Sequence, residues 1–156
     1  MRRRGARLPE GCPSEFDFLG YMTSQSLHEF FKKDRFAAHA GIELLEVGPG
    51  RAVSRMAIAD HHKNGLGSVH GGAIFTLADF TFAAACNSHG TVAVAINASI
   101  NFMKAVSSGI LLAEAREVSV NPKLGTYTID IKDGQGNLIA VFQGLAYRKK
   151  DPLPVS

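Results

Sequence analysis

The sequence predicts an α+β domain in which a curved antiparallel sheet wraps around one long central helix. Three observations carry this. Residues 70–88 are the strongest helical stretch, rich in Ala, Leu and Phe and followed by Gly90 as a stop signal. This stretch is apolar nearly all round, so it must be covered on several sides. After it, residues 92–103, 110–120, 126–132 and 138–148 read as four strands. Such a meander cannot bury its inner face alone. One helix covers only part of it, so association of copies is expected.

The elements follow in order. Residues 1–22, rich in Arg, Gly and Pro, read as a poorly ordered tail, with Met22 as an alternative start. The domain is expected over 23–148, with 149–156 as a C-terminal tail. Residues 24–36 read as an amphipathic helix whose Leu27, Phe30 and Phe31 could cap a sheet. A short strand over 41–47 leads to the turn Gly48-Pro49-Gly50 and a second strand over 53–58. Residues 60–69, DHHKNGLGSV, form a polar, glycine-bearing loop before the central helix. Ser107-Ser108-Gly109, Asn121-Pro122-Lys123 and residues 133–137 supply the later turns.

Composition excludes several classes. The formal net charge is +3 and the pI about 9.0, but Arg2, Arg3, Arg4 and Arg7 carry four of the positive charges. Without them the seventeen basic residues fall to thirteen, against fourteen acidic ones. The folded part lacks the concentrated basic face that nucleic acid needs, so no nucleic-acid partner is expected. No run reaches the roughly 20 apolar residues that span a bilayer, so no membrane partner is expected either. The Arg-rich start is not followed by a long apolar region and does not read as a secretory signal. Cys12 and Cys86 read as unpaired, and no metal-ligand spacing is present. The expected compartment is the cytoplasm, with no metal and no cofactor.

Three features converge on the start of the central helix. His70-Gly71-Gly72 sits where loop becomes helix. The first N–H groups of a helix lack internal partners and the dipole adds positive potential there, so this is a ready oxyanion site. Alternatively, the glycines merely permit tight packing. Asp79 lies in an apolar helix, where a carboxylate is costly unless it is paired or useful. Burial would raise its pKa toward that of a catalytic base. A salt bridge or a hydrogen bond to a neighbouring Thr would explain it as well. Asn64 could hold a water or a carbonyl, but Asn64-Gly65 reads first as an ordinary turn. His61 and His62 read as residues of a solvated loop, His89 as a favourable helix C-terminal charge, and Cys86 as an inert buried thiol.

The run His62-Lys63-Asn64-Gly65, Val69-His70-Gly71-Gly72 and Leu77-Ala78-Asp79 resembles the signature of the phenylacetate-pathway thioesterases, the PaaI-like family. Ala85-Cys86-Asn87-Ser88 with Gly90, the segment Ile100-Asn101-Phe102-Met103-Lys104 and the strand 138–148 are similar to the same family. The resemblance covers about residues 40–148. It implies a hotdog fold, hydrolysis of coenzyme A thioesters, and a tetramer made of two dimers. By position it implies Asp79 as catalytic acid, Gly71 with Gly72 as oxyanion donors, His70 as the residue fixing the helix-start loop, and Asn64 as the group that positions water or the thioester. The family often carries Ser or Thr on the following strand; here Asn97 stands there, with Ser99 on the same strand face. Lys104, Lys123 and Arg148 are candidates for the coenzyme A phosphates by analogy. Phe75, Phe80, Phe82 and Phe102 could line an aromatic acyl pocket, although core packing accounts for them equally well.

The expected reaction is hydrolysis of an aryl- or acyl-CoA, of the phenylacetyl or hydroxyphenylacetyl type. Asp79 would act as general base or attack to give a mixed anhydride. Alternatives are a non-catalytic acyl-CoA sensor, a thioesterase for medium-chain fatty acyl-CoA, and a dehydratase on the same fold. Asp79 lies eight residues beyond Gly71, roughly 12 Å along the helix. Each active site is therefore expected to lie at a dimer interface, built from the helix start of one copy and the Asp79 of another.

Overall fold

The structure, a computed structural model, describes residues 23–155. The arginine-rich tail and Cys12 lie outside the described residues. Helix α1 (Ser24–Phe31) begins at Thr23, whose Oγ1 accepts the Ser26 N–H at 3.2 Å, and buries Leu27 and Phe31. The single helix expected over 24–36 is broken, and α2 (Arg35–His39) restarts it. Asp34 is the cause. From an extended backbone its carboxylate accepts the Ala37 N–H at 2.9 Å. An Asp can serve a first-turn amide only from outside the helix, so it starts a new helix and interrupts the old one.

Six strands form one antiparallel sheet: β1 (Ile42–Gly48), β2 (Arg51–Ala57), β3 (Thr91–Phe102), β4 (Ile110–Val120), β5 (Leu124–Asp133) and β6 (Leu138–Pro152). Their order is β1-β2-β4-β5-β6-β3. The long helix α3 (Gly71–Asn87) runs between β2 and β3 in sequence and packs against every strand. Alternation along β4, β5 and β6 buries Ala113, Ala115, Ile129, Ile131, Ala140 and Phe142 on one face. Small residues let the helix approach closely. At Gly144 an added Cβ would come within 2.7 Å of the Phe82 ring, so this ring needs glycine beneath it.

The end of α3 is pinned on two sides. The Asn87 side chain accepts the Ala93 N–H at 2.8 Å and donates to the Ala93 carbonyl at 3.1 Å. Ser88 Oγ accepts the Gly50 N–H at 2.8 Å, which fixes the β1–β2 turn. The sequence reading ends the domain at residue 148, but β6 continues to Pro152, where it pairs with Thr91. Leu153 beyond it is only 6% exposed and donates its N–H to the Gly90 carbonyl at 2.9 Å. The charged run Lys149-Lys150-Asp151 gives no apolar signal, because the strand end is held beyond it, by the pairing of Pro152 and the burial of Leu153.

Strand β3 lies at one edge of the sheet, with β6 as its single neighbour. Val94, Ile96, Phe102 and Met103 are exposed along and just beyond it. A long edge carrying apolar side chains and a free row of backbone groups is a surface that proteins cover.

Candidate active site

The loop before α3 is built from its own backbone. The Asn64 N–H donates to the Ser68 carbonyl at 2.8 Å, and Lys63 pairs with Val69. Asn64 Oδ1 accepts the N–H groups of Leu66 at 2.9 Å and Ser68 at 3.3 Å. The oxygen of this side chain therefore closes the turn. Its Nδ2 donates to no described residue and is the atom left to meet a ligand.

His70 is the N-cap of α3. Its backbone is extended (φ −63°, ψ 136°), and its Nδ1 accepts the Gly72 N–H at 2.8 Å. The ring thus consumes one of the orphan amides that open the helix. The Gly71 N–H has no partner among the described residues and remains directed outward from the helix start. The ring of Phe102, itself 53% exposed, lies over Gly71, where an added Cβ would stand 3.1 Å from its Cζ. Of the two glycines, Gly71 offers a donor and Gly72 completes the cap.

Asp79 is half-buried on the same helix, and its carboxylate makes no hydrogen bond or ion pair among the described residues. Neither neighbouring threonine serves it. Thr76 Oγ1 donates to the Gly72 carbonyl at 2.8 Å and Thr81 Oγ1 to the Leu77 carbonyl at 2.7 Å. Burial raises the Asp79 carboxyl above the usual carboxylate range, and the negative charge of Asp34 raises it further. The protein therefore keeps an unpaired, destabilised carboxylate two helical turns from an unpaired N–H.

Beside it, Phe31, Asp34, Ile42, Leu44 and Phe80 line a cleft of about 330 Å³ between α1, α2 and β1. A larger groove, about 980 Å³, includes Glu46, Arg51, Glu114 and Asp130, and neither cleft is lined by Asn64, His70, Gly71 or Asp79. The smaller cleft is the one that adjoins the candidate chemistry, through Phe80 and Asp34.

Other candidates are placed apart from this centre. Asn97 is registered opposite Leu145 and Ser99 opposite Gln143, on the sheet face away from buried Phe142 and Ala146. Within one chain they do not reach Asp79. Lys104 follows the end of β3 near Gly71, whereas the Lys123 carbonyl accepts the Arg148 N–H beside the start of β3, at Ala93. The two lysines are thus about 30 Å apart along the strand, too far to hold one phosphate group within one chain. His89 binds Glu117, which also accepts the Tyr127 hydroxyl at 2.8 Å, at the opposite end of α3 from Gly71. Burial pushes the Cys86 thiol up to about 12, which suits an inert core residue. Among the described residues no group of three His, Cys, Asp or Glu could hold a metal, and no helix is long and apolar enough to cross a membrane.

Sequence reasoning missed two residues. His62, expected in solvent, is 5% exposed and its carbonyl accepts the His70 N–H at 2.7 Å. Asp34 contributes charge to Asp79 from another element. The polar composition of residues 60–69 hid the first. Nothing in the sequence signals the second, because it arises from packing.

Comparison with known proteins shows the family. A thioesterase superfamily model matches residues 66–140, which contain His70, Gly71 and Asp79. The acyl-coenzyme A thioesterase PaaI of Escherichia coli is 36% identical over 131 residues, covering 83% of this chain and 94% of the relative. The chain belongs to the PaaI-like thioesterase family. A relative in Archaeoglobus fulgidus is 40% identical over 125 residues, covering 80% of this chain and 81% of its own. The solved structure of the E. coli PaaI protein, from the phenylacetic acid degradation operon, superposes with a TM-score of 0.79 at 34% identity. It covers 82% of this chain and 94% of that one. The architecture is the hotdog thioesterase fold, and the PaaI-like chain is a thioester hydrolase.

Proposed function

We propose that this thioesterase hydrolyses acyl-CoA thioesters, with arylacetyl groups such as phenylacetyl or hydroxyphenylacetyl as the substrate class. The observation that carries the reading is the pairing on one helix of an unpartnered Gly71 N–H with an unpartnered, half-buried Asp79 carboxylate. The Gly71 N–H donates to the thioester carbonyl oxygen and stabilises the charge that develops there. Asp79 takes a proton from water, whose oxygen attacks the carbonyl carbon. The C–S bond then breaks, and the proton returns to the departing coenzyme A thiolate. In the alternative route Asp79 itself attacks, the thiolate leaves, and water cleaves the mixed anhydride.

The site is shared between two copies. Eight residues separate Gly71 from Asp79, about 12 Å along the axis, while both groups must lie about 3 Å from the reacting atoms. Pairing of β3 edges in a twofold dimer would cover the exposed strand and bring the start of one α3 toward Asp79 of the other. A tetramer is then a dimer of such dimers. Asn64 Nδ2 orients water or thioester. Antiparallel β3 pairing would bring Lys123 of one copy toward Lys104 of the other, which supports a joint role on coenzyme A phosphates. Asn97 and Ser99 also join the substrate-binding set only in the assembled form. The compartment is the cytoplasm.

A second reading is retained because Asp34, Ile42, Leu44 and Phe80 line an apolar cleft beside Asp79 that a straight chain could enter: hydrolysis of medium-chain fatty acyl-CoA. The test is a panel of phenylacetyl-, hydroxyphenylacetyl- and medium-chain acyl-CoA esters with a thiol reagent. Release of free coenzyme A, fastest with the aryl esters, is expected. Tight binding of esters without release would identify a non-catalytic acyl-CoA sensor and overturn the proposal.

A further inference from the structure

We propose that His62 is a positioning residue for thioester hydrolysis, holding the start of α3 in place through His70; the inference rests on the reading of Gly71 as the oxyanion donor. Three segments converge on this one residue. His62 Nδ1 accepts the Ala59 N–H at 3.0 Å, at the exit from β2. Its Nε2 donates to the Ala40 carbonyl at 2.8 Å, just past α2. Its own carbonyl accepts the His70 N–H at 2.7 Å. With Nδ1 accepting, the ring is the neutral tautomer with its proton on Nε2, and both nitrogens are used.

The arrangement gives the loop a fixed point that its composition does not supply. Between His62 and His70 the chain contains Gly65 and Gly67, and Leu66 at its tip is 92% exposed. No packed side chain anchors that tip. The helix start is therefore held at two points, at buried Val69, whose N–H donates to the Val106 carbonyl at 2.8 Å, and at His62, whose carbonyl takes the His70 N–H; His70 can cap Gly72 only if its own backbone is held. Once His70 is so held, the Gly71 N–H alone points outward. Burying the apolar contacts of this region does not require an imidazole. An aliphatic side chain would fill the volume but would leave the Ala59 N–H and the Ala40 carbonyl unpaired. A shift of about 1 Å in a donor costs on the order of 100-fold in rate.

Three variants separate the bonds. His62→Leu keeps volume and loses both ring bonds. His62→Asn puts a carboxamide oxygen where Nδ1 accepts from Ala59. His62→Gln puts an amide donor where Nε2 reaches Ala40. In His62→Leu, kcat on phenylacetyl-CoA is expected to fall about 10- to 100-fold with KM nearly unchanged. The Asn and Gln variants, each keeping one bond, should recover part of that loss. Amide hydrogen exchange should quicken at His70 and Gly72 while the β4–β5 ladder stays protected. Unaltered exchange at His70 and Gly72, or a kcat within about twofold of wild type in His62→Leu, would overturn the proposal. If the wild-type protein releases coenzyme A from no ester, the functional reading has failed on its own. Exchange then decides the role of His62 alone: faster exchange at His70 upholds the clamp, and unchanged exchange removes it.

Discussion

The Nδ1 of His70 accepts the N–H of Gly72 at 2.8 Å, so only one of the two glycine amides that open α3 is left to meet a ligand. The cap therefore selects the donor. Replacing His70 by Ala should cost about 1 kcal/mol of stability, the usual loss for a helix N-cap. His70→Asn, which also caps well, should restore the stability. Urea unfolding of the two variants measures the difference. In His70→Ala the helix start loosens and kcat should fall about 10-fold, whereas His70→Asn should retain most activity.

Asp79 is held with a raised pKa and no partner, so its charge opposes folding. A carboxyl raised above its unfolded value contributes stability at low pH that is lost as pH climbs through the folded value. Asp79→Asn should therefore unfold at a higher temperature than wild type at neutral pH, with the gain disappearing in acid. The same change should lower kcat at least ~100-fold. Calorimetry at two pH values and a turnover assay test both halves. Turnover within a few-fold of wild type would remove Asp79 from the mechanism.

Asp34 contributes negative charge to Asp79 while capping α2 through Ala37. Asn at position 34 keeps an acceptor for that cap and deletes the charge. Asp34→Asn should lower the pKa of Asp79, because a like charge that disfavoured its ionised form is gone. The acidic limb of the kcat profile should then move to lower pH with the fold intact. A limb that stays in place would show that Asp34 does not act on the base.

Sharing of the site between copies predicts complementation. Asp79→Asn and Gly71→Val each inactivate both sites of a homodimer, the second by driving a side chain into the space beneath Phe102. A mixed dimer holds one doubly damaged site and one wild-type site. After subunit exchange, activity should return to about half the wild-type value per mixed dimer. Confirmed heterodimers that remain inactive would mean that Gly71 and Asp79 act within one chain or that one of them does not act at all.

The apolar helix, the presence of four strands after it and the motif around Gly71 and Asp79 were legible in the sequence because each is a local pattern; the strand order was not, since β3 pairs with β6 rather than β4 and only β4, β5 and β6 form a meander. Strand alternation and helix periodicity are written into neighbouring residues, and the helix start is marked by the change from DHHKNGLGSV to an apolar run. Other features were decided only by tertiary structure. The break at Asp34 and the extension of β6 to Pro152 depend on hydrogen bonds to partners that periodicity does not register. His62 looks like a solvated loop residue until α2 folds over it and Ala40 accepts its Nε2 proton. The division of labour between Gly71 and Gly72 follows from the direction of the His70 ring. The electrostatic influence of Asp34 on Asp79 joins residues 45 positions apart in sequence. Residue type and local spacing sufficed to single out Asn64, His70, Gly71 and Asp79 as the candidates for the chemistry. The tertiary structure decided which of their atoms are free to perform it, because a donor or charge is free only when no distant segment has claimed it.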